Sequence, residues 1–197
     1  MKSKEELLTK LISELGVSKR ISEVLFLVFP DSEFANYSEL FLDALNQPNS
    51  LKPFISELQK QLNTGAFSHT TSAMCHFLAM DNNFEVFTRD YVRRCCDMVE
   101  YITKRKVAGR LRLDAEFEKQ PLGRVIGEFK KKHSRQFPEG LLEALAKFNE
   151  AVYCPAKHEA VNKEEERKYS IADAIATTFI AVRLCQRLDD FQRKYWG

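Results

Sequence analysis

The stretch SIADAIATTFIAVRL, residues 170–184, decides the fold class of this 197-residue chain. Its apolar residues recur three or four positions apart, and the row continues to Phe191, as expected for a helix with a buried side. Ser170 followed by Asp173 has the spacing of a capping-box variant, which places the beginning of the helix at Ser170. The sequence therefore predicts a long final helix over residues 170–195.

The rest of the chain also shows helical periodicity, and nothing alternates for long as strands do. The apolar run VLFLVF, residues 24–29, has strand propensity, but Ser18 and Pro30 bracket it as a helix. A second long helix is predicted over residues 84–106, and the periodicity fails over residues 107–120, which predicts a loop. We therefore predict an all-α protein.

Breaks in the pattern indicate how the helices are grouped. The polar stretch NTGAFSHTT, residues 63–71, separates four short helical segments from longer ones. Helices are also predicted over residues 122–133 and from Pro138 to Pro155, because a proline favours the first turn of a helix and interrupts its interior. The prediction is an up-and-down helical bundle, residues 70–197, preceded by a small N-terminal module of short helices, residues 1–65.

Composition excludes several function classes. The chain has 7 Gly and contains no Gly-rich phosphate-binding loop, HExxH or GxSxG motif, which disfavours nucleotide hydrolysis, dinucleotide redox chemistry and metalloproteolysis. The charged first ten residues and the short apolar runs predict a cytoplasmic protein that does not enter a membrane. Its 5 Cys are expected to be reduced thiols.

The middle of the chain is basic. Residues 84–135 carry 14 Lys and Arg against 8 Asp and Glu, a net charge of +6 in a chain whose total is +2. A basic region can bind phosphates without reading sequence, or it can be an ordinary solvated helix face. The candidate RNA-binding residues are Lys104, Arg105, Lys106, Arg110, Arg112, Lys130, Lys131 and Lys132.

The segment FNEAVYCPAKHEA, residues 148–160, is the candidate site. Asn149, Tyr153, Lys157 and His158 are expected to converge at a helix junction near Pro155. His158 is suited to moving a proton near neutral pH, and Lys157 to stabilising phosphate charge. In the alternative interpretation, His158 only hydrogen-bonds the loop that follows.

Metal binding is not expected at this segment. Cys154 and His158 have the spacing of half a zinc site, but no second well-spaced pair completes it. Nothing in the sequence orients the His158 imidazole toward the Cys154 thiol. The sequence therefore indicates a Cys154 nucleophile with His158 as its base no more strongly than it indicates a zinc site. We therefore expect neither a metal nor another cofactor.

Residues 148–160 and the long helix after them resemble the C-terminal half of HEPN (higher eukaryote and prokaryote nucleotide-binding) domains. These domains are four- or five-helix bundles common in toxin–antitoxin and antiviral defence proteins. Their active members resemble metal-independent ribonucleases that gather Arg and His across a homodimer. His158 matches the family's His, whereas the family's Arg has no counterpart between Lys147 and His158. The resemblance implies RNA as a partner and a homodimer.

These observations leave three hypotheses open. The missing Arg favours a non-catalytic protein of a prokaryotic defence or toxin–antitoxin system. Such a protein would be a helical adaptor or an RNA-associated component. A protein partner is expected to bind through the N-terminal helices. The alternative is a metal-independent ribonuclease that uses His158. A small-ligand-binding bundle is the third hypothesis, since helices readily enclose pockets.

Overall fold

The computed structural model describes residues 4–29, 31–47, 50–62, 67–81, 88–109, 111, 115–157 and 169–196. The helices are α1 (Lys4–Ser13), α2 (Lys19–Val28), α3 (Asp31–Asn46), α4 (Lys52–Gln61), α5 (His69–Ala79), α6 (Thr88–Tyr101), α7 (Leu122–Lys132), α8 (Leu141–Phe148), α9 (Cys154–Lys157) and α10 (Ile171–Trp196). π-Helical segments, Ile102–Ala108 and Asn149–Tyr153, follow α6 and α8, and Ala115–Lys119 and Ser134–Gln136 are 3-10 turns. The described ranges contain no strand, so the predicted all-α class is confirmed.

Helix α10 lies at the centre of the fold. It packs against α2, α3, α4, α5, α6 and α8, and its side chains are buried almost without interruption over residues 172–185. A helix that is covered on all sides belongs in a protein interior. None of the helices in the described ranges is both long and apolar enough to cross a membrane.

The predicted capping box at the beginning of α10 is confirmed. The backbone N–H of Asp173 donates to the Ser170 hydroxyl at 3.0 Å, and the Ser170 N–H donates to the Asp173 carboxylate at 3.2 Å. Each residue thus satisfies a backbone donor that the first turn of a helix leaves without an intrahelical partner. The local sequence was sufficient to predict this cap.

Buried aspartates of α10 also hold the beginnings of two other helices. Asp173 accepts a hydrogen bond from the N–H of Ser18, directly before α2, at 2.7 Å. Asp189 accepts one from the N–H of Ser68, directly before α5, at 2.9 Å. Ser18 occupies the predicted cap position, but its hydroxyl makes no capping bond. The carboxylate from α10 instead satisfies the backbone N–H of Ser18 itself.

One hydrophobic core joins the two predicted parts of the chain. It runs without a break from Leu11 of α1 to Phe191 of α10. The rings of Phe41 and Phe179, one from each part, meet edge to face with centroids 5.1 Å apart. The division into residues 1–65 and 70–197, like the up-and-down order of the helices, stays a prediction.

The prediction that Pro155 ends the preceding helix is wrong. The helical path that begins at Leu141 continues through Asn149–Tyr153 and α9 as far as Lys157. A proline inside an α-helix lacks one N–H, and its ring collides with the carbonyl four residues back. The segment before Pro155 has the wider π geometry, in which the Cys154 N–H donates to the carbonyl of Asn149, five residues back. The wider turn therefore lets the helix continue past the proline.

Two other boundaries also differ from the sequence prediction. Helix α5 begins at His69, inside the polar stretch predicted to be a boundary, and it was not predicted. The predicted loop over residues 107–120 is wrong in part, because the π segment runs to Ala108 and Ala115–Lys119 forms a 3-10 turn. The N-terminal end of the helix predicted from residue 84 lies outside the described residues, and α6 is described from Thr88.

The Asp189 carboxyl is expected to make stability depend on pH. Burial raises its pKa above 3.8, against the opposing effect of the Ser68 and Thr71 hydrogen bonds. The folded state therefore binds this proton more tightly than the unfolded state does, and the contribution to stability grows as pH falls toward 4 and is lost as pH rises. Asp189→Asn keeps the acceptor oxygen without the charge, and its stability relative to the wild type should be highest at pH 7 and decline toward pH 4.

Asp189→Ala removes the acceptor altogether and should lower the free energy of unfolding by about 1–3 kcal/mol, because Ser68 loses its buried partner. Urea unfolding at pH 7 and pH 4.5 measures both variants. The exposed Asp43→Asn is the control and should change stability little at either pH. Equal losses for the Asn and Ala variants at pH 7 would contradict this role of Asp189.

Candidate functional site

Lys157 lies at the end of α9, which packs against α6. Its ammonium group forms an ion pair with Asp97 and lies 4.0 Å from a carboxylate oxygen of Glu100, and both acidic residues belong to α6. Arg93 fixes the approach of the two helices, since its Nε donates to the carbonyl oxygen of Ala156 at 2.7 Å. The charge of Lys157 is thus directed toward α6, and its side chain is only 27% exposed.

Glu100 is the centre of this arrangement. Its carboxylate accepts a hydrogen bond from the ammonium of Lys104 at 2.5 Å and another from the hydroxyl of Tyr153. Asp97, Glu100, Lys104, Tyr153 and Lys157 are together called the Glu100 cluster. The cluster balances two ammonium groups against two carboxylates.

Tyr153 is fixed as a hydrogen-bond donor. Burial raises the pKa of its hydroxyl well above the ordinary value of 10, and the hydrogen bond to Glu100 acts in the same direction. The lysine ammonium of Lys157 lies 5.8 Å from the centre of the ring. Because the hydroxyl keeps its proton near neutral pH, Tyr153 does not act there as a base.

Asn149 belongs to a different environment. A Cβ placed on Gly123 of α7 would lie 2.9 Å from the Asn149 side-chain nitrogen, so the amide packs closely against α7. The same amide hydrogen-bonds the Cys154 thiol, whose pKa burial nevertheless raises. The predicted convergence is thus met in part, because Tyr153 and Lys157 meet on α6 whereas Asn149 faces α7. His158 lies outside the described residues.

Several of the predicted RNA-binding residues are paired with carboxylates. Lys104 binds Glu100 as described above, and Arg105 lies 2.5 Å from a carboxylate oxygen of Glu118. The Lys132 ammonium lies 3.0 Å from a carboxylate oxygen of Glu128 and holds the pKa of that carboxyl below its usual value. An ion pair reduces the charge that each of these cations presents to phosphate.

The end of α7 presents the most accessible predicted cations. Lys130 and Lys131 are exposed in its last turn, and no ion pair of theirs occurs among the described residues. Lys106 is half-buried in the π segment after α6. Arg110 and Arg112 lie outside the described residues. A compact pair of adjacent lysines therefore remains from the predicted surface.

The acidic half of the Glu100 cluster was missed as part of the site. Neither Asp97 nor Glu100 was among the predicted site residues. Glu100 and Lys104 have the i,i+4 spacing of a helical ion pair, which was a readable signal. The contact of α6 with Lys157, 60 residues from Asp97, carried no such local signal.

Burial raises the pKa of all five thiols. Cys75, Cys95, Cys96 and Cys185 are buried, Cys154 is half-buried, and all five are free. Burial raises the pKa of Cys75 and of Cys95 to about 12. In the part of the chain that the structure describes, no three His, Cys, Asp or Glu side chains are placed to hold a metal ion together.

A groove lies between α4 and α5 and has a volume of about 290 Å³. Its lining is Lys52, Ile55, Ser56, Gln59, Phe67, Ser72, Cys75, His76 and Ala79. The groove contains none of the predicted site residues. The groove bears on the third hypothesis, a bound small molecule.

No protein-family model, curated protein or solved structure matches this chain. The resemblance to HEPN domains therefore stays a prediction that depends on the helix layout and His158. The contacts of the Glu100 cluster and of α7 are the structural observations that bear on function.

Replacement of Lys157 tests whether this residue fastens α9 to α6. Lys157→Met leaves Asp97 and Glu100 without their shared cation and should lower the free energy of unfolding by about 1 kcal/mol. Adding Glu100→Gln should recover part of that loss, because the remaining acidic repulsion is relieved. Chemical denaturation measures all three proteins.

The matched control is Lys60→Met, which breaks an exposed pair with Glu57 on α4. Its effect should stay within about 0.5 kcal/mol, as for most surface positions. If Lys157→Met is as mild as this control, Lys157 does not fasten α9 to α6.

Proposed function

We propose that the protein is a non-catalytic helical adaptor that works as a homodimer in a prokaryotic defence or toxin–antitoxin system. The charge balance of the Glu100 cluster is the observation that carries this proposal. Two carboxylates already surround Lys157, the cation that a nuclease mechanism would assign to phosphate. A protein partner binds through the N-terminal helices α1–α4.

Cleavage of RNA without a metal needs a group that accepts a proton and a cation free to stabilise phosphate charge. Tyr153 keeps its proton, and Lys157 would have to leave its carboxylates before it met a phosphate. The Arg of the resembled family also has no counterpart between Lys147 and His158. These features support binding over catalysis, and the ribonuclease that uses His158 is the alternative.

RNA association is the second candidate function, and the end of α7 favours it. Lys130 and Lys131 are adjacent and exposed, and the lysine-rich turn concentrates positive charge at one place. Such residues contact phosphates without selecting a sequence. Binding of this kind is weak and sensitive to salt.

A cleavage assay tests the non-catalytic part of the proposal. The wild-type protein is expected to leave structured and single-stranded RNAs intact, with or without EDTA. His158→Ala should behave in the same way, as should the exposed His69→Ala, which serves as the control. EDTA-resistant cleavage that disappears in His158→Ala and persists in His69→Ala would establish the ribonuclease instead.

RNA binding is tested with the double variant Lys130→Glu and Lys131→Glu. We expect weak binding of single-stranded RNA by the wild type, and the salt dependence of log K should become shallower by about 1.4 when two phosphate contacts are lost. Fluorescence anisotropy at several salt concentrations measures this. Lys52→Glu and Lys60→Glu on α4 make the same change of charge at exposed positions and form the matched control.

Equal weakening by the α4 and α7 variants would show only a nonspecific effect of net charge. Absence of binding by the wild type would remove RNA association and leave the protein-binding adaptor.

A further inference from the structure

Three aromatic rings hold separate parts of the chain together at one end of the molecule. The ring of Phe129, in the last turn of α7, and the ring of Phe137, just after the following 3-10 turn, have centroids 5.1 Å apart. The ring of Phe137 also stacks on that of Phe191 in α10, with centroids 4.4 Å apart. In addition, the Arg187 guanidinium of α10 donates to the carbonyl oxygen of Glu139 at 3.0 Å. The last turns of α7 and α10 therefore lie beside each other.

Exposed cations lie close to these rings. Four of them are fully accessible and form no ion pair within the described part of the chain. They are Lys130 and Lys131 in the last turn of α7, Arg135 in the 3-10 turn, and Lys194 in the last turn of α10. These four residues are together called the basic end. The ring stack thus gathers positive charge from three segments that are separate in the sequence.

The positive charge of this region is larger than the two helix ends require. The carboxyl end of a helix carries about half a negative charge, so the ends of α7 and α10 together carry about one. Residues 128–139 and 187–194 contain 7 Lys and Arg against 4 Asp and Glu, a net charge of +3. Arg135 also lies beyond the last turn of α7. Stabilisation of the helix dipoles therefore does not account for the whole of the basic end.

The surroundings of the basic end are polar. Ser134 and Gln136 beside Arg135 are exposed and add a hydroxyl and an amide. The large apolar side chains that are exposed in the described part of the chain all lie elsewhere, and they are Phe77, Met80, Tyr101 and Ile171. A helix bound at a bilayer surface inserts apolar side chains, and a protein interface has an apolar centre. A phosphate backbone needs only cations and polar groups.

We infer that the basic end is one continuous site for the phosphate backbone of RNA, in which Arg135 and Lys194 act together with Lys130 and Lys131. This inference rests on the RNA association proposed above and deepens it, because it adds contacts from outside α7. Neither Arg135 nor Lys194 was among the predicted RNA-binding residues. Lys194 is 64 positions away from Lys130 in the sequence, and the stacked rings bring their helix ends together.

The distribution of the four cations over three segments favours a chain of phosphates over a single phosphate. On a single strand, each phosphate contact contributes about 0.7 to the slope of log K against log salt. Four contacts predict a slope of about −2.8, whereas the two lysines of α7 alone predict about −1.4. Between about 50 and about 200 mM salt, the affinity should therefore fall about 50-fold instead of about 7-fold.

Fluorescence anisotropy with a labelled single-stranded RNA of mixed sequence tests the inference on the full chain at several salt concentrations. Arg135→Gln combined with Lys194→Gln should change the slope from about −2.8 to about −1.4, because two of four phosphate contacts are lost. Adding Lys130→Gln and Lys131→Gln should bring the slope close to zero. All four side chains are exposed, so circular dichroism should show the same helical content in every variant.

The matched control is Lys52→Gln combined with Lys60→Gln on α4. It removes two exposed positive charges, as the test variant does, but at positions outside the basic end. It should leave the slope unchanged. Vesicles of phosphatidylcholine and phosphatidylserine serve as a second probe, and no binding that depends on Arg135 and Lys194 is expected there.

The outcomes separate this site from the proposed function. If Arg135→Gln with Lys194→Gln changes the slope by less than about 0.7, one phosphate contact, the site is overturned and RNA association through α7 stands. An equal change in the α4 control also overturns the site, because it shows an effect of net charge alone. Absence of RNA binding by the wild type overturns both, and vesicle binding through Arg135 and Lys194 in its place assigns the surface to a membrane. RNA cleavage overturns the non-catalytic adaptor and leaves this site to its own measurements.

Discussion

The fold depends on two buried carboxylates that α10 presents to the beginnings of other helices. An ionised side chain in a protein interior is costly unless hydrogen bonds satisfy it. Asp173 and Asp189 obtain such bonds from the N–H groups of Ser18 and Ser68, where the partial positive charge of a helix N-terminus also favours an anion. The carboxylates lie 16 positions apart on one rigid helix, so α2 and α5 are held at a spacing that α10 sets.

Features encoded by near neighbours were predictable from the sequence, and features that depend on distant contacts were not. The capping box of Ser170 and Asp173 and the burial of α10 follow from a spacing of three residues and from an apolar pattern. The bonds from Asp173 to Ser18 and from Asp189 to Ser68 span 155 and 121 residues. A sequence pattern does not indicate which helix end a buried aspartate will contact.

The candidate site shows the same division. Tyr153 and Lys157 were expected to lie together and do so, because both project from one short helical segment toward α6. The prediction lacked the acidic residues that neutralise Lys157, since these belong to a helix far away in the sequence. Helix α5 was missed because its sequence is uncharged and lies close to Gly65. It therefore lacks the periodic charged residues by which a surface helix is recognised.

The π segment Asn149–Tyr153 changes the direction in which side chains project from the helix that contains it. A wide turn accommodates one additional residue, and each residue of an α-helix advances the side-chain direction by about 100°. Side chains before the wide turn project in the directions expected from α8. The side chains of Tyr153 and of the residues after it are rotated about the helix axis relative to those directions. The wide turn therefore lets one helical path present side chains to two different helices. The amide of Asn149 is directed to α7, and the ammonium of Lys157 is directed to α6.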